Sequence, residues 1–399
     1  MIYLHVPFCH RKCTYCAFYS KPARGVDAFG RYVDALLAEM EQRKREQAHP
    51  IRTVYFGGGT PSILPMAELA RIVDGLRRCF DLSQVEEFTL EANPEDLTSD
   101  YLAGLRALGF NRLSVGIQSL DDSQLRLLNR RHTARQALDA LENAHSAGFH
   151  NISADFIYGL PHGNFQFSFS NFQLITHISA YALTVEPGTA LDLQVRQGRV
   201  VLPGEEEVVR QYHALRQQFE EAGFRQYEVS NFARPGYHSR HNSRYWDRTP
   251  YLGLGPAAHS FAGRRRRWNS PMEEESGMWK VESEEVLTAS DAVNELLMTA
   301  LRTTRGFALA DVPEAYRAGL RQKLQPYIAC GWLYIEESPH PSLHIPNSIL
   351  HTPHPTLLTP HSSLHTPHST LLTPHSSLTY RPTPEGLLHA DGIAAALFV

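Results

Sequence analysis

The chain has 399 residues and an apolar content of 42%, enough for one domain of barrel size, a smaller second one and a substantial core. A formal net charge of −4 gives no global attraction for nucleic acid, and no stretch approaches the roughly 20 apolar residues that span a bilayer. Strand-like MIYLHV runs almost at once into Cys9, leaving no room for a signal peptide, and Cys79 and Cys330 stand alone outside one N-terminal cluster. Clustered thiols in an otherwise cysteine-poor chain read as metal ligands in a reducing, cytoplasmic compartment.

In chain order the first strand candidate is IYLHV (2–6), followed by a loop carrying Cys9, Cys13 and Cys16. Phe29, Tyr32, Val33, Leu36, Leu37 and Met40 then recur at helical spacing, and TVYF (53–56) is the second strand. Leu69, Ile72, Val73, Leu76 and Phe80 mark the next helix, and further strands are read at EFTLEA (87–92), RLSVGI (112–117), ISADFIY (152–158) and ISAYALTV (178–185). A last strand candidate, YEVSNF (227–232), follows a long helix. Strands alternating with helices imply parallel pairing through right-handed crossovers. Six or seven such units predict an α/β fold, a partial (β/α)6-type barrel over residues 1–232, with an open doubly wound sheet as the alternative. Chemistry is then expected where strands end and loops begin.

Residues 233–285 are rich in turn residues and aromatics, and Arg264–Arg267 read as a solvated turn. Helical periodicity returns at 290–304, predicting a small, mainly helical C-terminal domain over 286–399. Within it, HTPHPTLLTPHSSL (351–364) recurs as HTPHSTLLTPHSSL (365–378). A seven-residue period with proline in each copy cannot form a coiled coil, so 338–378 reads as a low-complexity insertion, expected to be a mobile loop.

The chemistry concentrates at the strand ends. Three thiolates at Cys9-x3-Cys13-x2-Cys16 could hold a four-iron cluster with one iron left open for a small molecule. A zinc site completed by a distant ligand is the other reading of the same spacing. Gly57, Gly58 and Gly59 in YFGGGTPS (55–62) bring backbone close to whatever occupies the barrel mouth, or simply form a tight turn. Glu91, Gln118, Arg130 and Asp155 fall at or near successive strand ends, as a polar ligand spanning the mouth requires.

CxxxCxxC with Tyr15 before the last cysteine resembles the radical S-adenosylmethionine superfamily, and GGG at the second strand strengthens that likeness. The resemblance implies a [4Fe-4S] cluster on the cysteines, whose open iron chelates the methionine part of S-adenosylmethionine. The ordered set Tyr3, Tyr15, Gly57, Gly58, Gly59, Thr60, Glu91, Gln118, Arg130 and Asp155 looks like the cofactor ligands of the oxygen-independent coproporphyrinogen oxidase group. That likeness covers roughly residues 1–335 and resumes near 380. Two branches diverge there. The oxidases resemble CxxxCxxCxC and carry an N-terminal arm; here Phe18 fills the place of the extra cysteine, and HNSRYW (241–246) matches the HNxxYW signature of the HemW branch of haem chaperones.

By that resemblance haem binds at His241, Asn242, Tyr245 and Trp246, an imidazole being a normal haem ligand and aromatic rings offering flat surface to a porphyrin. His238 and His259 are rival iron ligands, and the same aromatics would also suit packing of the barrel against the second domain. The implied partners are apo-haemoproteins, respiratory ones among them, and an electron donor such as flavodoxin or ferredoxin, with transient association at a membrane surface during handover. The alternative is the oxidase itself, converting coproporphyrinogen III to protoporphyrinogen IX. Two stretches depart from the family. HGNFQFSFSNFQLIT (162–176) is short and phenylalanine-rich where an acidic helix is usual, and SPMEEESGMWKVESEE (270–285) stands where a longer helix is expected.

Overall fold

The computed structural model describes residues 1–23, 27–47, 49–161, 171–273, 276–338 and 377–399. Residues 162–170 of the phenylalanine-rich stretch and 339–376, with nearly all of the heptad tract, lie outside the described residues.

Six parallel strands run in sequence order, β1 (Ile2–Val6), β2 (Thr53–Gly58), β3 (Glu87–Ala92), β4 (Arg112–Gln118), β5 (Ile152–Tyr158) and β6 (His177–Ala182). Between them lie α1 (Ala28–Arg43), α2 (Met66–Cys79), α3 (Ser99–Leu108), α4 (Asp122–Leu127) and α5 (Ala134–Ser146). After β6 come α6 (Ala190–Arg196) and α7 (Glu205–Glu221). Helix starts follow the sequence: Thr98 and Asp121 accept hydrogen bonds from the first turns of α3 and α4, and Thr133 with Gln136 forms a capping box on α5.

Alternation along each strand decides the architecture. Ile2, Leu4, Val6, Val54, Phe56, Leu90, Leu113 and Val115 form one buried face with Tyr32, Leu36, Met40, Leu69 and Leu76 of the helices. The opposite, inward face is polar. Tyr3 pairs in register with Tyr55, Tyr55 with Thr89, and Thr89 with Arg112. Glu91 lies beside Ser114, Ser114 beside Ser153, and Ser153 beside His177.

The edges differ from the sequence reading. YEVSNF is not another parallel strand: β7 (Arg225–Gln226) and β8 (Asn231–Ala233) form a short antiparallel pair, with β8 antiparallel to β6. Tyr227–Ser230 turn the chain, with the Tyr227 amide donating to the Asn231 carbonyl and the Ser230 amide to the Glu228 carboxylate. A connection this tight reverses direction, whereas a parallel partner needs a long crossover. At the other edge, after α8 (Arg240–Trp246), β9 (Leu252–Leu254) adds parallel to β1. Among the described residues no closed ring of strands forms, in keeping with a partial barrel.

Of the arginine run, Arg264 lies in a turn, as read, but Arg265–Arg267 belong to a strand. β10 (His259–Ala262), β11 (Arg265–Asn269) and β12 (Val281–Val286) make an antiparallel sheet, so part of the stretch expected to be a helix is β12. Arg265 and Arg267 pair with Glu284, Arg266 with Glu285 and Glu295, and Arg267 also with Glu46, which neutralises the run locally.

The C-terminal part comprises α9 (Ala289–Ala300), β13 (Phe307–Ala308), α10 (Glu314–Ala329), β14 (Leu333–Ser338), β15 (Ser377–Pro382), α11 (Pro384–Leu388) and α12 (Ala390–Leu397). Leu297, Leu301, Leu320, Leu324, Ile393 and Leu397 give it a core of its own, beside a three-stranded sheet in the order β13-β15-β14. Its link to the barrel includes the Val229 amide donating to the Arg302 carbonyl (2.8 Å) and the Thr304 amide donating to the Tyr227 carbonyl (3.1 Å).

Candidate cluster and cofactor site

The cysteine loop leaves the carboxyl end of β1 and is tied down at several points. The Cys9 amide donates to the Lys21 carbonyl (3.1 Å), and the Thr14 amide and hydroxyl donate to the carbonyls of Leu128 and Leu127 (3.2 and 2.9 Å). Asn129, just after α4, donates its side-chain amide to the Lys12 carbonyl (2.9 Å). Cys9, Cys13 and Cys16 thereby border one cavity of about 470 Å3 at the strand ends. Burial pushes the Cys9 and Cys16 thiols up, so their thiolate form calls for a cation to stabilise it.

The glycine run seats itself against the cysteine loop. The Gly59 amide donates to the Val6 carbonyl (2.8 Å) and the Thr60 amide to the Phe8 carbonyl (2.7 Å), while the Thr60 hydroxyl reaches Cys9 Sγ (3.4 Å). A Cβ on Gly59 would stand 2.6 Å from the Phe8 carbonyl oxygen. Gly58 has φ +109°, and a Cβ there would lie 2.7 Å from the His5 ring. Both glycines are therefore required by the protein's own packing, beyond any approach of a ligand.

The polar residues of the strand ends converge on the same cavity. Glu91 accepts from the Tyr55 hydroxyl (2.7 Å) and the Gly58 amide (3.2 Å), and burial pushes its carboxyl up to about 7. Asp155 accepts from the hydroxyls of Ser114 (3.0 Å) and Ser153 (3.2 Å), and burial raises its carboxyl as well. Arg130 donates to Asn93 Oδ1 (2.7 Å) and the Gly116 carbonyl (2.6 Å) and lies 3.5 Å from Cys13 Sγ. Gln118 follows an irregularity in the β4–β5 pairing and takes φ +65°, which re-aims the strand end at the mouth.

The cavity is bordered by Tyr15, Gly58, Gly59, Thr60, Glu91, Gln118, Arg130 and Asp155. Tyr3 and Gly57 do not border it; they pack beneath, Tyr3 stacked near Tyr55 and donating to or accepting from His5 at 3.1 Å. Phe18 stands at the mouth, 71% exposed. The sequence reading missed Arg11, Lys12, Ser20, Tyr181 and Glu186, which also line the cavity. Tyr181 and Glu186 were open to the strand-end rule already applied to Glu91, whereas Arg11 and Lys12 are set apart by position alone.

HNSRYW lies elsewhere. It forms α8 at the opposite end of the barrel, where Glu87 of β3 accepts from the amides of Arg240 (2.8 Å) and His241 (2.9 Å). His241 is 0% exposed, with Nδ1 at 2.8 Å from the Thr53 hydroxyl and Nε2 at 3.1 Å from the Tyr245 hydroxyl. Its ring stacks on Tyr55 at 4.9 Å, and burial drives its basicity far below that of a free histidine. Tyr245 meets Tyr251 edge-on at 4.9 Å, and Arg302 lies over the Trp246 ring at 5.8 Å. Asn242 is partly buried, its amide donating to Ser239 in the first turn of α8. His238, stacked on Tyr227 at 4.1 Å, and His259, facing Trp268, are both exposed.

Among the described residues no group of three or more His, Cys, Asp or Glu side chains is placed to hold a single metal ion. The cysteines instead surround a shared cavity. That donor set suits an iron–sulfur cluster, which offers a separate iron to each thiolate, better than a closed zinc site.

The profile of the Radical SAM superfamily matches residues 3–166. The heme chaperone HemW of Mycobacterium tuberculosis (strain CDC 1551 / Oshkosh) is 39% identical over 276 residues, 67% of this chain and 71% of that protein. HemW of Bacillus subtilis (strain 168) is 34% identical over 334 residues, 80% of this chain and 87% of the relative. The crystal structure of the Escherichia coli coproporphyrinogen III oxidase HemN superposes with a TM-score of 0.74 at 21% identity, covering 100% of this chain and 89% of that one, a likeness of fold. A cysteine-ringed cavity at the strand ends, a barrel that keeps the HNSRYW helix and this degree of identity lead to one conclusion: the chain belongs to the HemW family of the radical S-adenosylmethionine superfamily.

Proposed function

We propose that this protein is a haem chaperone that carries a [4Fe-4S] cluster on Cys9, Cys13 and Cys16, holds S-adenosylmethionine in the adjoining cavity, and passes haem to apo-haemoproteins. The observation that carries the cofactor half is the convergence of the three cysteines with Glu91, Gln118, Arg130 and Asp155 on a single cavity. Family membership supports the haem half. A cavity of about 470 Å3 has room for one ligand of cofactor size, in the lower part of the range for small-molecule sites. Phe18 in the place of the oxidases' extra cysteine, together with the HNSRYW helix, favours chaperoning over oxidative decarboxylation.

Each residue has a definable task. The cysteines bind iron, and Arg130 places a guanidinium beside Cys13. Glu91 and Asp155 offer carboxylates to the cationic groups of the cofactor, while the glycine run lets backbone approach its methionine part and the Gln118 side chain orients a polar atom. A bound, reduced cluster would supply one-electron chemistry to S-adenosylmethionine held beside it. An electron donor of flavodoxin or ferredoxin type would serve it.

Haem is assigned to the surface around the HNSRYW helix. His241 can reach iron only if α8 leaves the barrel floor, since both ring nitrogens are engaged. In the conformation seen, His238 presents its imidazole to solvent one step before the same helix and is the preferred ligand, with His259 the other exposed candidate.

Anaerobic incubation of reconstituted protein with reductant, S-adenosylmethionine and coproporphyrinogen III is expected to yield no vinyl product, and formation of protoporphyrinogen IX would establish the oxidase instead. In parallel, haem titration followed by the Soret band is expected to lose affinity in His238→Ala. A loss confined to His241→Ala, with the protein still folded, would return the ligand to the helix interior.

A further inference from the structure

The barrel interior holds a charge that the cofactor site does not use directly. Arg112 opens β4 on its inward side, one inward position below Ser114, which borders the cavity. It is 1% exposed and heads the fully buried side chains by size, yet its Nε and Nη1 have no hydrogen-bond partner. A buried guanidinium without such partners is strongly disfavoured unless nearby negative charge compensates it.

Its charge acts on Tyr55 of β2, Glu91 of β3, Asp155 of β5, His177 of β6, Tyr227 in the turn after β7 and His241 of α8. Further titratable groups are carried by β1 (Tyr3 and His5), β3 (Glu87), β6 (Tyr181), the turn after β7 (Glu228) and α8 (Tyr245). Two of these carboxylates hold backbone amides away from the cavity. Glu87 accepts the first amides of α8, and Glu228 accepts from the Ser230 amide at the sheet edge. Arg130, the other buried guanidinium near the cavity, is bound to Asn93, Gly116 and Cys13. His177 is bound on both nitrogens, to Ser153 (2.7 Å) and Tyr227 (2.8 Å), and burial keeps it neutral. In the β3–β4 ladder Arg112 stands opposite Thr89 and Ser114 opposite Glu91, and the Ser114 hydroxyl donates to Asp155, so both carboxylates lie on the cavity side of Arg112, and its charge acts on both.

We propose that Arg112 is the buried counter-charge that holds Glu91 and Asp155 as carboxylates beneath the cavity, and thereby makes the cavity selective for a cationic ligand, the sulfonium and ammonium of S-adenosylmethionine. Arg112 is a positioning residue, acting through the two carboxylates and touching no ligand. The ligand half rests on the cofactor reading above. Burial alone favours the neutral acids, and Glu91 already sits near 7 with Arg112 pulling the other way. Hydrogen bonds from Tyr55 and Gly58 to Glu91 and from serine hydroxyls to Asp155 oppose burial as well; removing the guanidinium takes away the cationic part of that opposition, so the carboxyls keep their protons to higher pH.

The test uses full-length protein in two forms. In cluster-reconstituted protein, calorimetric titration of S-adenosylmethionine and of S-adenosylhomocysteine, which lacks the sulfonium charge, is run from pH 6 to 9 on wild type, Arg112→Met and Arg112→Lys. Arg112→Met is expected to weaken S-adenosylmethionine about tenfold at pH 7, the equivalent of a one-unit shift, with recovery toward pH 9 and a smaller effect on S-adenosylhomocysteine. Arg112→Lys, which keeps the charge, is expected to follow wild type and shows that the fold survives change at this position. In unliganded protein, infrared carboxyl bands assigned with Glu91→Gln are expected to titrate at higher pH in Arg112→Met. Superimposable titrations in wild type and Arg112→Met would overturn the inference, as would an equal loss for both ligands at every pH. A shifted carboxyl titration in a protein whose wild type does not bind S-adenosylmethionine would sustain the counter-charge and overturn the cofactor reading instead.

Discussion

His241 illustrates how a motif residue can be both conspicuous in sequence and structural in place. Stacked on Tyr55 and bonded to Thr53 and Tyr245, it fills the floor of the barrel. His241→Ala leaves a cavity and two hydroxyls without their partner, and we expect a loss of about 3 kcal/mol at neutral pH in chemical denaturation. The loss has a definite pH dependence. The folded state holds His241 neutral, with its proton affinity far below the ordinary 6.5, while the unfolded chain takes up a proton below that pH. Wild type therefore loses stability on acidification below about 6.5, at up to about 1.4 kcal/mol per unit from this residue, and the variant does not. The gap between the two should shrink as pH falls; a gap constant from pH 7.5 to 5.5 would show that His241 titrates normally.

At the same scale Glu91 and Gln118 were legible because they fall at strand ends that hydrophobic alternation locates, and the cysteines by their spacing; Arg130, in the loop after α4, and Asp155, within β5, were legible by their likeness to the family's order of residues. Arg112 and His177 were not legible. They occupy inward positions lower in the strands, where a one-dimensional pattern reads only as polar residues between apolar ones, and nothing in it says that the enclosed face is a charged interior.

Among the elements, the glycine loop after β2 carries the sharpest constraint. With the Phe8 carbonyl 2.6 Å from where a Cβ would stand, Gly59→Ala must push the loop away from the residue that precedes Cys9. Iron and sulfide content after reconstitution should fall severalfold while the circular dichroism of the helices is retained; full cluster loading in Gly59→Ala would show that the cysteine loop tolerates the shift. The parallel strands were readable because apolar alternation and the crossover helices leave a strong periodic signal. The antiparallel additions were hidden for physical reasons. β7 and β8 are too short to establish a period, and β11 is an arginine strand whose stability comes from cross-strand glutamates instead of apolar alternation.

At the scale of the whole molecule the described residues form two large cores, one under the barrel helices and one in the C-terminal part, with a small third cluster of Leu128, Ile157 and Leu160, and none of their helices is long and apolar enough to cross a membrane. The repetitive tract enters and leaves the second core through paired strands. β14 and β15 are in register from Leu333 opposite Pro382 to Ser338 opposite Ser377. Replacing 341–374 by a short turn should thus leave cluster content and cofactor affinity unchanged and alter the melting temperature by no more than a few degrees, since loop-closure entropy varies only slowly with length. A collapse of expression or cluster loading in that variant would assign the tract a part in folding.

That paired base has a practical meaning. Ser338 and Ser377 sit side by side at the end of a hairpin already spanned by nearly forty residues of foreign composition. A fluorescent domain whose own termini lie close together could replace the tract there, giving an optical label on the molecule with both ends of the chain left native.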